Sequence, residues 1–450
     1  MISLSSLDFV LIGTYFVILL LIGYFTSRRK DEDEFLIANR NLGTMGTIMT
    51  INASKTGSIM MIFTAFVFVW GISAIWYFIG MVFGMLVFLP FAMRLKDKSA
   101  GRYYTLAHYF KDSYGKKVAG IASLITIIVM FGYLVLNLIA GAKIFVFFTT
   151  WPFWVCAIIM MFTVLAYLLM GGFKAVVKTD ILQYLAMFFI LGILAYSLFS
   201  GSFIPSSEWN FFAADIGTIM GFFIVGLFYP FATADMWQRV YSAKNKKVLR
   251  NGILISSVFY AIFGFLLALV ALTVKTNFPG IDPDLALIHG FANLLPPGLL
   301  GLSVVLLFAA MMSTIDTYVF TGASAIIQDW FEWSKKKVVR NIRRVIFGLA
   351  VLATLLSIFM QDLVVSTYIF VSFIIVLAVC VIATWVKSDI KRSTLITGFS
   401  VGLFGIIGLL SYFLLIAGGI RPYLAIVALG VTIVALIAAG FVNWVRKVIN

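Results

Sequence analysis

The chain has 450 residues, of which 62% are hydrophobic and 11% charged. Soluble globular chains are about 45–50% apolar and about 25% charged, so this composition excludes an ordinary soluble enzyme, a disordered protein and a disulfide scaffold. The net charge of +15 would suggest nucleic acid in a soluble domain, but in an apolar chain it first has to be tested against loop orientation.

A bilayer core of about 30 Å takes about 20 apolar residues per helix. Thirteen such segments are read in chain order: 7–27, 44–70, 73–93, 118–148, 153–170, 181–199, 216–238, 251–274, 298–328, 344–360, 363–385, 393–417 and 421–445. The first apolar run is preceded by no basic residue and followed by Arg28-Arg29-Lys30, so it reads as a membrane helix with its N-terminus outside rather than as a cleavable signal. Thirteen spans put 29 of the 33 Lys and Arg residues on one face, and an even number would break this alternation. The positive-inside rule therefore predicts N outside and C inside, with bilayer as the partner and no nucleic acid. Cys156 and Cys380 lie in apolar runs and read as packing residues.

The four remaining basic residues are Lys55, Lys143, Lys275 and Arg421. Lys275 and Arg421 sit at outer ends, and Lys143 is close enough to one to snorkel. Lys55 lies roughly 16 Å from the start of the second span, near the midplane, where an ionisable residue is a functional hypothesis.

The second span holds Asn52-Ala53-Ser54-Lys55-Thr56-Gly57-Ser58. Small polar residues at mid-membrane suit either a broken helix, whose freed carbonyls can ligate a cation, or a close helix crossing. The Asp180 at the start of the sixth span suits a helix cap. The seventh span holds Gly226 and Pro230, a second candidate break or kink, and Asp235 and Arg239 at pair spacing. Helices 2–6 and 7–11 each begin with an interrupted helix and run in opposite orientation, which is the pattern of a 5+5 inverted repeat around a transport site. The ninth span places Ser313, Thr314, Asp316 and Thr317 deep in the membrane, where oxygen ligands suit a hard cation and Asp316 could pair with Lys55. Enzyme signatures are missing: His108 and His289 are the only histidines, and neither has metal-ligand or nucleophile spacing around it.

In these residues the chain resembles the sodium/solute symporter family, with its leucine-transporter-type fold. Four segments carry the resemblance, in order: Glu34 to Gly43, Gly171-Gly172 through Thr179-Asp180 and Gln183, Trp237-Gln238-Arg239 with Ala243-Lys244, and Ala309 to Thr314. The resemblance implies an all-α polytopic protein of the plasma membrane, a bacterial or archaeal inner membrane, with helix 1 at 7–27, repeats at 44–199 and 216–385 and helices 12–13 at 393–445. It implies Na⁺ as coupling ion, held by the carbonyls of Ala53, Thr56 and Ala310 and the hydroxyls of Ser313 and Thr314. A second ion site would use Asp180, Ser313, Asp316 and Thr317. Tyr229 matches an aromatic that closes the site from inside. Asn52, Trp76, Tyr77, Asn137, Tyr229, Thr233, Tyr368 and Ser372 are expected around the solute.

Two departures stand out. Gly226 stands where sugar-carrying members have an amide, which argues for an amino acid or carboxylate over sugar. Lys55 stands where proline-carrying members have an acid. The expected function is Na⁺-coupled symport of a small organic solute by alternating access. The alternatives are a Na⁺-independent or proton-coupled carrier in which Lys55 replaces the sodium charge, and, from another class, a membrane sensor on a transporter scaffold.

Overall fold

The computed structural model describes residues 5–26, 32–200, 204–295, 299–331, 335–387, 389–416 and 424–449. Among these the protein is built from seventeen α-helices, joined by short turns and 3₁₀ segments. Arg28, Arg29, Lys30, Pro296, Pro297, Arg421 and Pro422 lie outside the described residues.

The chain opens with α1 (Ser6–Thr26), the short α2 (Glu32–Ile37), and then α3 (Thr44–Ala53) and α4 (Ile59–Trp70), which share one apolar stretch. The residues between α3 and α4, Ser54 to Ser58, leave the helical ladder. None of them has the apolar side chain that would hold a helix by packing, and their backbone groups find side-chain partners instead. The next helices are α5 (Trp76–Ser99), α6 (Leu106–Tyr114), α7 (Lys116–Thr149) and α8 (Phe153–Ser200). α8 is broken at Gly172, whose φ is +57°. That left-handed backbone favours glycine, and a Cβ there would also lie 2.3 Å from the Phe35 ring.

α9 (Ile216–Ala232) and α10 (Ala234–Ser242) meet at a bend of 45°. Pro230 supplies no N–H and its ring crowds the carbonyl one turn back. Thr233, at ψ +121°, then breaks the ladder outright. α11 (Lys246–Asn277), α12 (Ala286–Leu294), α13 (Leu300–Trp330), α14 (Lys335–Phe359), α15 (Leu363–Val386), α16 (Arg392–Leu415) and α17 (Leu424–Ile449) complete the chain.

By length and hydropathy, eleven of the described stretches can cross a membrane, or twelve if bent α9 and α10 form one span. This establishes an all-helical polytopic membrane protein; the expected count of thirteen is not reached on that criterion, because Ile59–Ser99 is one continuous apolar stretch.

The interior is centred on α13, whose most apolar window is 89% buried, whereas α1 and α17 are mostly lipid-facing. α13 packs against α7 and α8, α3 against α8 and α11, and α5 against α9. The close approach of α5 and α9 needs glycine: a Cβ on Gly226 would lie 2.2 Å from the Tyr77 carbonyl oxygen. Gly226 therefore faces the α5 backbone, and its lack of a side chain is a packing requirement before it is anything else.

Candidate functional site

The two helix breaks face one another in the middle of the bundle. Ala53, the last residue of α3, offers its carbonyl to three hydroxyls, those of Thr56 (3.0 Å), Ser313 (3.2 Å) and Thr314 (3.4 Å). Ser313 and Thr314 each also lie 3.0 Å from the Ala310 carbonyl. Five oxygens, from the end of α3, the break after it and α13, thus converge. Adjacent ligands at right angles on a hard cation with metal–oxygen distances of about 2.4 Å are about 3.4 Å apart, so small adjustments convert these contacts into a coordination shell. Thr56 donates to Ala53 and approaches the Met187 sulfur.

The ionisable residues sort into pairs that sequence spacing did not anticipate. The Lys55 ammonium meets Asp235 at 2.8 Å, with side chains 1% and 0% exposed. From the sequence, Lys55 could pair with Asp316. It does not, because the break turns it toward α10, where Ser54 also donates to Asp235 (3.0 Å). The Lys55 ammonium also lies 5.5 Å from the centre of the Tyr229 ring.

Asp235 and Arg239 are not a simple pair along α10. The guanidinium donates to the Asp235 backbone oxygen, to Thr50 and to Thr317, and lies 3.6 Å from Asp180. Asp180 is no cap: the second half of α8 runs unbroken through it, and its carboxylate accepts from Thr50 at 2.5 Å. Asp316 accepts from Tyr167 (2.8 Å), and its second oxygen has no partner among the described residues. Lys143 does not snorkel. It pairs with Asp284 at 2.6 Å, and Asp284 also accepts from the Leu363 N–H at the start of α15. Lys275 is likewise paired, with Glu208 at 2.8 Å.

Beside this charge network lies a cavity of about 60 Å³. Tyr77, Asn137, Tyr229, Tyr368 and Ser372 line it, as do Lys55, Thr314, Tyr133 and Tyr318. Asn52, Trp76 and Thr233 do not: Asn52 donates to Ile48, the Trp76 indole donates to the Phe211 carbonyl near the surface, and Thr233 donates to the Tyr229 carbonyl. Ser54, Ser58 and Thr367 also line it, and Ile59, Ile62, Phe66, Phe222, Val225 and Val371 give it an apolar stretch. Tyr229 and Tyr318 share a short hydroxyl–hydroxyl hydrogen bond on one wall, and Tyr318 also donates to the Ser54 carbonyl (3.1 Å). Asn137 accepts from the Ser58 N–H at 2.6 Å, fixing the restart of the broken helix to α7.

The four sequence segments singled out above dock around this site. Leu42 forms a parallel bridge with Ala243, Gln238 donates to the Leu36 carbonyl, and Glu34 pairs with Lys174. Tyr133, Tyr318, Tyr260 and Tyr167 escaped the sequence reading, because a tyrosine in an apolar helix carries no spacing signal until its partner across the bundle is known.

The sodium:solute symporter family model matches residues 35–204 and 207–388. The chain belongs to the sodium:solute symporter family. As a member it is a multi-pass transporter of the plasma membrane that uses Na⁺ as coupling ion to move a small organic solute, and it is not an enzyme.

Similar proteins include the sodium/proline symporter 2 of Staphylococcus saprophyticus, 25% identical over 72% of this chain and 68% of that protein. The osmoregulated proline transporter OpuE of Bacillus subtilis is 25% identical over 77% of this chain and 76% of its own. The fold is shared with a substrate-bound, outward-open Na⁺-coupled sialic acid symporter, with TM-score 0.80, 16% identity and coverage of 97% and 98%. It is also shared, less closely, with Mhp1, a nucleobase-cation-symport-1 family transporter in a closed conformation, with TM-score 0.61, 12% identity and coverage of 92% and 95%.

Proposed function

We propose that the two broken helices and α13 form the transport centre of an alternating-access symporter. Na⁺ is held by the Ala53, Thr56 and Ala310 carbonyls and the Ser313 and Thr314 hydroxyls, and solute occupies the adjoining cavity. The convergence of the α3 end and α13 on one carbonyl carries this reading. A cation there replaces hydroxyl-to-carbonyl hydrogen bonds with ion–oxygen contacts, ties α3 to α13 and favours the solute-binding state. Loss of the ion to a sodium-poor cytoplasm loosens the tie.

The chain is read as thirteen spans with N outside and C inside, and with inverted repeats at 44–199 and 216–385. The rings of Phe63 and Phe78 support the extra span: they lie 4.9 Å apart, whereas fifteen residues of continuous helix would separate them by about 22 Å. The chain therefore doubles back near Gly71, and Ile59–Ser99 counts as two crossings. One Na⁺ per cycle is the favoured stoichiometry, because Arg239 already places a fixed cation against Asp180 and Thr317, two of the residues of the expected second ion site.

Lys55 as a tethered substitute for Na⁺ is disfavoured on the same grounds. Its ammonium is drawn to Asp235, away from the Ala53 carbonyl, and the Ser313 and Thr314 oxygens are left to an ion. The solute is read as an amino acid or carboxylate rather than a sugar. The test is uptake into proteoliposomes with and without an inward Na⁺ gradient at matched pH and voltage; equal uptake in both refutes sodium coupling.

A further inference from the structure

We propose that the solute is a small monocarboxylate, and that Lys55 is the residue that binds its carboxylate. This rests on the reading of the cavity as the solute site. Three observations on the cavity wall support it. First, among the described residues Lys55 is the only charged one lining the cavity, so the described wall presents a cation and no anion. Second, an ammonium has three N–H donors, and Asp235 is its one hydrogen-bond partner among the described residues. Two donors on a side chain only 1% exposed are thus left for a ligand. Third, Tyr368 lines the same cavity, and its buried hydroxyl has no partner among the described residues, which provides a second polar anchor for a hydroxyl or keto group.

A zwitterion is less well served. Two carbonyls freed by the helix break, natural acceptors for a solute ammonium, are already taken: Tyr318 donates to Ser54 O and Tyr260 to Lys55 O. Ile59, Ile62, Phe66, Phe222, Val225 and Val371 give the wall an apolar stretch that fits a short hydrocarbon body. In the solute-free state Asp235 balances Lys55. A solute carboxylate then shares the ammonium, and the extra negative charge is matched by the Na⁺ that binds two residues back along the chain, at Ala53. Ion and solute each lower the electrostatic cost of the other, so the same pair that fixes the solute class also couples it to sodium.

The experiment uses purified protein in proteoliposomes with an inward Na⁺ gradient and radiolabelled pyruvate, propionate, L-proline and glucose. Na⁺-driven uptake of pyruvate or propionate, inhibited by unlabelled carboxylates and not by propionamide, is expected. Uptake confined to L-proline or glucose, or equal inhibition by propionamide, overturns the proposal. Binding of ²²Na⁺ to the same preparation reads the underlying assignment separately. Na⁺ binding without monocarboxylate uptake refutes only the solute class, whereas absence of Na⁺ binding refutes the coupling.

Lys55→Gln alone strands Asp235 and lowers stability, which would confound a transport reading, so the variant tested for uptake is Lys55→Gln with Asp235→Asn, checked for a single symmetric peak on gel filtration. Loss of a charge-assisted contact predicts a KM for the monocarboxylate about 10- to 100-fold higher, and a KM within threefold of wild type overturns the proposal. Lys55→Arg, which keeps the cation, is expected to keep the preference for carboxylate over amide; loss of that preference in a folded Lys55→Arg protein also counts against it.

Discussion

Breaking the Lys55–Asp235 pair is the sharpest perturbation the structure offers. At an N···O separation of 2.8 Å and an effective dielectric of about 20, the attraction is about 6 kcal/mol. Much of it offsets the cost of burying two charges, so replacing the pair as a whole is cheap, while removing one partner leaves an uncompensated ion. Ser54 donates to Asp235 at 3.0 Å, but one hydroxyl does not neutralise a buried carboxylate. Each single substitution, Lys55→Gln or Asp235→Asn, is expected to cost about 3–5 kcal/mol, read as a fall in Tm of roughly 5–10 °C. The double substitution should recover most of it, giving a coupling of at least about 2 kcal/mol in the cycle. The assay is thermal unfolding of the detergent-purified protein followed by tryptophan emission. If the double variant loses the sum of the two single losses, the residues do not act as a buried pair, and the placement of Lys55 away from the ion site falls with that result.

Three further outcomes are expected. Ser313→Ala and Thr314→Val each remove one ion-facing hydroxyl and should raise the Na⁺ concentration for half-maximal uptake by about 5- to 30-fold, at roughly 1–2 kcal/mol per contact; unchanged sodium dependence in both would remove α13 from the ion site. Gly57→Ala would put a Cβ 2.1 Å from Asn137 Oδ1 and 2.3 Å from Thr314 Oγ1, so it should abolish Na⁺-driven uptake, which a flux assay on protein reaching the membrane in normal amount would detect. His108, in α6 outside the spans, is held down to about 4 by burial, with the Lys111 and Arg40 charges adding to it. The unfolded chain binds the proton that the folded one refuses, so stability should fall as pH drops from 6.5 toward 4 and be flat above. His108→Gln should shallow that fall in a Tm-versus-pH series, and an unchanged slope would show that another group causes it.

Much of the fold was legible because membrane burial writes itself into composition. Among the described residues every apolar segment read from the sequence lies in a helix, part of a helix or a helix pair, and helix propensity hardly mattered because lipid leaves no other way to satisfy the backbone. The breaks at Ser54–Ser58 and near Pro230 were legible for the same reason: polar, glycine and proline residues at mid-membrane need an account. Ser313 and Thr314 were marked by depth alone. The side-chain partnerships were not legible. Lys55, Asp180, Asp235, Arg239 and Asp316 were each visible as costly residues, but local spacing paired Asp235 with Arg239 and made Asp180 a cap, whereas the structure places Lys55 on Asp235 and Arg239 on Asp180.

The sequence by itself determined that this is a helical membrane transporter with interrupted helices, and it named the family through four short segments. Only the tertiary structure decided where each buried charge goes. Those pairs join residues up to 180 positions apart, and a buried charge takes whichever opposite charge the packed helices bring within about 3 Å, a distance that no spacing along one chain can report.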